Sequence, residues 1–136
     1  MKTIQGPSLH LAQFAADTAP FNTLPAIAEW AAGMGFKALQ IPAWDARLFD
    51  VAQAAHSQQY CDELVAMLAA HGLVISELTT HILGQLVAVH PAYDALCDSF
   101  APAHLHGQPA ARTEWAIEQV KLAAMASKRL GLTDMG

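Results

Sequence analysis

Trp30-Ala-Ala-Gly-Met-Gly35-Phe-Lys-Ala-Leu-Gln-Ile41 carries the pattern that decides the fold: an amphipathic run, a glycine, then an apolar run of β type. The pattern returns as Met67-Leu-Ala-Ala-His-Gly72-Leu-Val-Ile-Ser-Glu-Leu78 and as Lys128-Arg-Leu-Gly131-Leu-Thr-Asp-Met-Gly136. Glycine just past a helix supplies the left-handed conformation that ends it. The apolar run after each glycine then reads as the next strand. Strands alternating with helices imply a parallel sheet joined by crossovers.

Working outward, a first strand is expected at 9–14. A helix follows at 23–34, with Leu24, Ile27, Ala31 and Met34 on one stripe and Pro25 tolerated in its first turn. A second strand is expected at 37–42 and a short helix at 46–55 after Asp45 as candidate cap. Ser57 caps the next helix, whose inward face is Cys61, Leu64, Val65 and Leu68. A third strand spans 73–79. A helix at 112–130 turns Ala116, Val120, Ala123 and Leu130 inward, and 133–136 begins a fourth strand. Residues 82–111 show no clean period apart from a short helix near 93–100. They read either as a lid or as a plain surface excursion.

Three units and a strand stub cannot close a barrel, which typically takes about 250 residues. The expectation is a partial barrel, either a piece of a longer protein or a sheet completed by another chain. Open sheet edges make self-association into a homo-oligomer one outcome. The chain has 136 residues, 54 % of them hydrophobic and 14 % charged, which suits one folded domain. A net charge of −5 with scattered basic residues argues against nucleic acid as a partner. No apolar run reaches the roughly 18 residues a membrane span needs. Cys61 and Cys97 lack CxxC spacing, which fits a reducing compartment. The chain reads as soluble and cytoplasmic.

Gln13, Gln40 and Glu77 are polar residues near the C-terminal ends of apolar runs. Leu9, Leu11 and Gln13 share one parity, as do Glu77, Thr79 and His81. In a barrel such residues line the lumen near its C-terminal mouth, where barrel enzymes hold substrate. The alternative is that they merely solvate strand ends. His81 follows the third strand and aims at that mouth. Trp44 follows the second, where it either stacks on a ligand or joins the core. Arg47 either grips a carboxylate or phosphate at the mouth or, the favoured reading, pairs with Asp50 or Asp45. His10 reads as a hydrogen-bonded core histidine, His56 and His71 as helix-end residues, and His90 as a loop residue. His104 and His106 make only a weak metal pair. Glu77 and His81 are the sole neighbouring acid and base candidates. Phosphate-loop, dinucleotide, nucleophile-elbow and HExxH motifs are absent from the sequence.

The run Gly35-Phe-Lys-Ala-Leu-Gln-Ile-Pro-Ala-Trp-Asp-Ala-Arg-Leu-Phe-Asp50, the pieces Glu77-Leu-Thr-Thr-His81 and Gln85-Leu-Val-Ala-Val-His-Pro-Ala-Tyr93, and Glu114-Trp-Ala-Ile-Glu-Gln119 resemble the sugar phosphate isomerase/epimerase family. That family has the xylose isomerase-like TIM barrel. The resemblance implies that 1–136 is the N-terminal part of one such α/β barrel domain. It implies metal-assisted isomerisation or epimerisation of a sugar or polyol, with Mn²⁺ or Mg²⁺, or Zn²⁺, polarising the substrate oxygens. The family's metal ligands sit on later strands, so no metal ligand is assigned to this chain. By carry-over, Trp44 and His81 become substrate-pocket residues, with Gln40 and Glu77 beside them. Where Gln40 stands the family often has Glu, so no carboxylate is expected there. The resemblance therefore implies little or no turnover from these residues alone. A small α/β module that binds metal or another ligand is the remaining alternative.

Overall fold

Each of the three glycine signatures ends a helix in the same way. At Gly35, with φ of 91°, the Gly35 N–H donates to Ala32 O (3.0 Å) and the Phe36 N–H donates to Ala31 O (3.1 Å). At Gly72, with φ of 71°, the bonds run to Ala69 O (2.9 Å) and from Leu73 N–H to Leu68 O (3.0 Å). Gly131 repeats the pair with Lys128 and Ser127 as acceptors. This crossed pair satisfies the last helical carbonyls, and an L side chain would be strained at the left-handed position. The residue after each glycine turns back to the core: Leu73 is buried, and Phe36 and Leu132 pack against the apolar cluster.

The computed structural model describes residues 4–136. Three parallel strands, β1 (Ser8–His10), β2 (Ala38–Pro42) and β3 (Val74–Thr79), lie in that order in one open sheet. Helix α1 (Leu24–Gly33) connects β1 to β2, and α2 (Val51–His56) and α3 (Gln58–Ala70) connect β2 to β3. After β3 come the short helices α4 (His81–Gln85) and α5 (Asp94–Cys97), then the long α6 (Pro109–Arg129). Beyond α6 the chain returns to β3 through a single parallel bridge, Leu78 to Met135. The expected fourth strand is therefore present only as that bridge. The architecture is α/β, with the sheet not closed.

The core forms on one side of the sheet. Leu9, Leu39, Ile41 and Leu78 meet Leu24, Ile27 and Ala31 of α1, Leu64 and Leu68 of α3, and Ala126 of α6. Helices α2 and α6 pack on each other through buried alanines, among them Ala54 and Ala55 on α2 and Ala123 and Ala126 on α6. The Arg129 Nε–H donates to Ala55 O (2.8 Å), and Gln58 Nε2 donates to Arg129 O (3.0 Å), so the end of α6 is hydrogen-bonded both to α2 and to the start of α3.

Several expectations need correction. The first strand stops at His10, because Leu11–Gln13 coils into a 3₁₀ turn whose Leu11 is fully buried. Gln13 is therefore exposed on a turn and lines nothing. Met34 lies past the end of α1 and is 65 % exposed, and Val65 on α3 is 42 % exposed. Neither belongs to the inward stripe. The short helix after β2 begins at Val51, capped by Asp50, whose carboxylate accepts the Gln53 N–H (2.9 Å). Asp45 is not a cap. It accepts hydrogen bonds from Arg47 Nε (2.9 Å) and Nη2 (2.7 Å), and Arg47 also pairs with Asp17 (2.6 Å) rather than Asp50. Ser57 does cap α3, accepting the Tyr60 N–H at 3.1 Å.

Candidate functional site

In a parallel sheet, residues in register point to the same face. Ser8 pairs with Ala38 and His10 with Gln40, while Gln40 pairs in turn with Glu77 and Pro42 with Thr79. None of these residues joins the apolar cluster. The side of the sheet away from the helices is thus a polar face, crossed by the row His10–Gln40–Glu77. Gln40 and Glu77, the polar residues of their apolar runs, both lie in this row. His10 belongs to the same row, and its expected place in the core is corrected: it is half-buried, 3.5 Å from Thr79 Oγ1.

A bulge makes this row possible. Leu39 pairs with Ile75, yet Gln40 pairs with Glu77, so Ser76 is one extra residue in β3. In a regular ladder Ser76 would take the place opposite Gln40, and Glu77 would point into the helices and Leu78 away from them. Ser76 Oγ donates to Leu39 O (3.1 Å) and meets Ser8 Oγ at 2.9 Å. The hydroxyl thereby satisfies a carbonyl at the irregularity in the ladder.

Two rings crown the row. The Ala43 N–H donates to Thr79 O (3.0 Å), tying the loop after β2 to the end of β3 and placing Trp44 beside His81. The Trp44 and His81 rings meet edge to face with centroids 4.7 Å apart, and the His81 and His10 rings likewise at 5.8 Å. His81 opens α4 and is exposed. Trp44, Gln40 and Glu77 are half-buried. The side chains of Gln40, Trp44, Glu77 and His81 make no hydrogen bond to any described residue. Burial pushes the His10 imidazole below its ordinary range, the neighbouring His81 adds to this, and Glu77 opposes it. A base held neutral by the fold costs stability as pH falls below its unfolded value.

The other candidates scatter. His56 ends α2 and His71 caps the end of α3. His90 Nδ1 accepts the Ala92 N–H (3.2 Å), and His106 Nε2 lies 3.0 Å from Ala101 O. Among the described residues no three His, Cys, Asp or Glu side chains form a group able to hold a metal ion. The divalent cation implied by the resemblance does not fit these residues, and no chemical step here runs through one.

Sequence reasoning missed Arg112. Its side chain is 1 % exposed at the head of α6. Nη1 donates to Asp94 O (2.8 Å) and Asp98 Oδ1 (2.6 Å), and Nη2 donates to Asp94 Oδ1 (2.5 Å). Asp98 Oδ2 also accepts the Gly107 N–H (2.8 Å). The segment 86–108 is buckled to α6 by one guanidinium. The i, i+4 spacing of Asp94 and Asp98 was the available signal. No helix among the described residues is long and apolar enough to cross a membrane. No protein-family model and no curated protein matches the chain.

Proposed function

We propose that the polar face binds a sugar or polyol, in a protein built like the opening strands of a xylose isomerase-like barrel. One observation carries this reading: Gln40, Glu77, Trp44 and His81 converge at the C-terminal mouth of the strands with their polar groups unspent on any described residue. An amide and a carboxylate in one row match the vicinal hydroxyls of a polyol, and an aromatic ring beside them suits its C–H faces. The reaction class that the resemblance implies is isomerisation or epimerisation. In this proposal the chain supplies substrate-holding groups and turns over little by itself.

The test is an NMR titration of the ¹⁵N-labelled chain with xylose and sorbitol. The Gln40 side-chain amide and the Trp44 indole N–H are expected to shift, while Trp30 and Trp115 stay still. Gln40→Ala is expected to abolish the response. Unmoved Gln40 and Trp44 signals would remove the reading. Robust aldose–ketose turnover with Mn²⁺ would remove the substrate-holding limit.

A second reading is a non-catalytic partial sheet that self-associates, favoured by the outer edge of β1, which has no strand partner among the described residues. It expects sedimentation velocity to show a concentration-dependent shift toward a larger species. A single monomeric boundary at all concentrations would count against it.

A further inference from the structure

The return of the chain to β3 widens the polar face. Leu78 bridges Met135 in parallel, so Asp134 falls level with Glu77 and Gly136 with Thr79. Both lie on the side away from the helices. Hydrogen bonds fix this register: the Gly136 N–H donates to Leu78 O (3.1 Å), and Gly136 O accepts from the Thr80 N–H and from Thr80 Oγ1 (3.0 Å). Glu77 leans over the returning segment, so closely that a β-carbon on Gly136 would stand 2.9 Å from its Oε1. Two carboxylates, Glu77 and Asp134, therefore border the row next to Gln40. Asp134 Oδ2 accepts the Thr133 hydroxyl (2.8 Å), and Glu77 accepts nothing from any described residue.

The described lysines and arginines do not neutralise this pair. Arg47 and Arg112 are held by aspartates, Lys121 by Glu118 and Arg129 by the Ala55 carbonyl. Lys37 lies against Gly6, ahead of β1. Lys128 and Asp134 line one cleft beside α6, yet no ion pair joins them. Nor do the carboxylates belong to a metal centre, since no three His, Cys, Asp or Glu side chains among the described residues could hold an ion. An ammonium group asks for less: a carboxylate, a further oxygen acceptor and an aromatic ring within reach. Glu77, Asp134, the Gln40 amide oxygen and Trp44 supply that set.

We propose that this face takes an amino sugar or amino polyol in preference to its neutral counterpart, with the protonated amine at the Glu77–Asp134 edge and the hydroxyls along Gln40 toward Trp44. This rests on the reading of the face as a polyol site and narrows it. An ammonium there makes charge-assisted hydrogen bonds where a hydroxyl makes ordinary ones, and a sugar acid meets two like charges.

Sorbitol, glucamine and gluconate test this, because they share a polyol body and differ at one end: hydroxyl, ammonium or carboxylate. Binding to the full chain is measured at about pH 7.5, above the ordinary imidazole value and below that of a primary amine. It is read at the Gln40 side-chain amide and the Trp44 indole N–H, so that amine gathered elsewhere on a chain of net charge −5 is not counted. Glucamine should bind roughly tenfold more tightly than sorbitol, and gluconate more weakly than either. In Glu77→Gln the glucamine-to-sorbitol ratio should fall toward one, and Asp134→Asn should lower it in part. On the unaltered chain, raising salt from about 0.02 M to about 0.5 M should shrink the same ratio. Glucamine binding no more tightly than sorbitol, or a ratio indifferent both to salt and to Glu77→Gln, would overturn the proposal while leaving the polyol site standing. Failure of all three ligands to bind would overturn both.

Discussion

Replacing Arg112 with methionine should cost about 3 kcal/mol of folding stability and open 86–108 to proteases. Removing one member of a buried ion cluster strands the others. Asp94 and Asp98 would keep their charges at 32 % and 17 % side-chain exposure without the guanidinium that faces them. Denaturant unfolding measures the loss, and limited trypsin and chymotrypsin digestion locates it. Adding Asp94→Asn and Asp98→Asn to Arg112→Met should recover part of the stability, because the stranded charges go with their partner. A loss below about 1 kcal/mol would mean that α6 is held by packing and not by this buckle. Acid should act from the other side. The Gly107 N–H, and after it Arg112, hold the Asp98 carboxyl below its ordinary range. Its contribution is present above the unfolded carboxylate value and disappears as pH falls through the lower folded value.

Leu39→Ala should cost about 3 kcal/mol, whereas Gln40→Ala, its neighbour on the same strand, should cost less than about 1 kcal/mol. Leu39 is fully buried against the helices, so truncation leaves a cavity in the apolar cluster. Gln40 faces the other way and makes no hydrogen bond that truncation would break. Chemical denaturation of the two variants side by side is the measurement. Equal losses would mean that the second face is packed as tightly as the first.

The units of the fold were legible because their signal is local. Gly35, Gly72 and Gly131 each need only a few neighbouring residues to end a helix and start the next strand. Polar residues near the ends of apolar runs likewise marked Gln40 and Glu77, and parity holds from Glu77 to Thr79, beyond the bulge at Ser76 that breaks it earlier in β3. It failed at Gln13, where burial of Leu11 in a tight turn ends the alternation after His10. The stripe rule placed Met34 and Val65 inward because it assumes a helix covered along its whole length. The sheet here is only three strands wide, and the outer flanks of its helices stay in water. His10 was read from its apolar sequence neighbours, but its setting is made by β2 and β3, which sequence proximity does not reveal. Arg112 was hidden for the same reason: its partners Asp94 and Asp98 belong to a segment without periodicity, so nothing in α6 itself marks a buried charge.

The extra residue in β3 has a consequence for how this chain can change over time. Identity at position 76 is loosely set, since any small hydrogen-bonding side chain could replace the serine. Length is loose there too, in one direction. With that residue dropped, Ile75 would run straight into Glu77, which alternation already sets opposite Gln40, so the carboxylate keeps its face and Leu78 stays among the leucines. Single-residue gaps should therefore survive among descendants at position 76 more readily than elsewhere in the three strands.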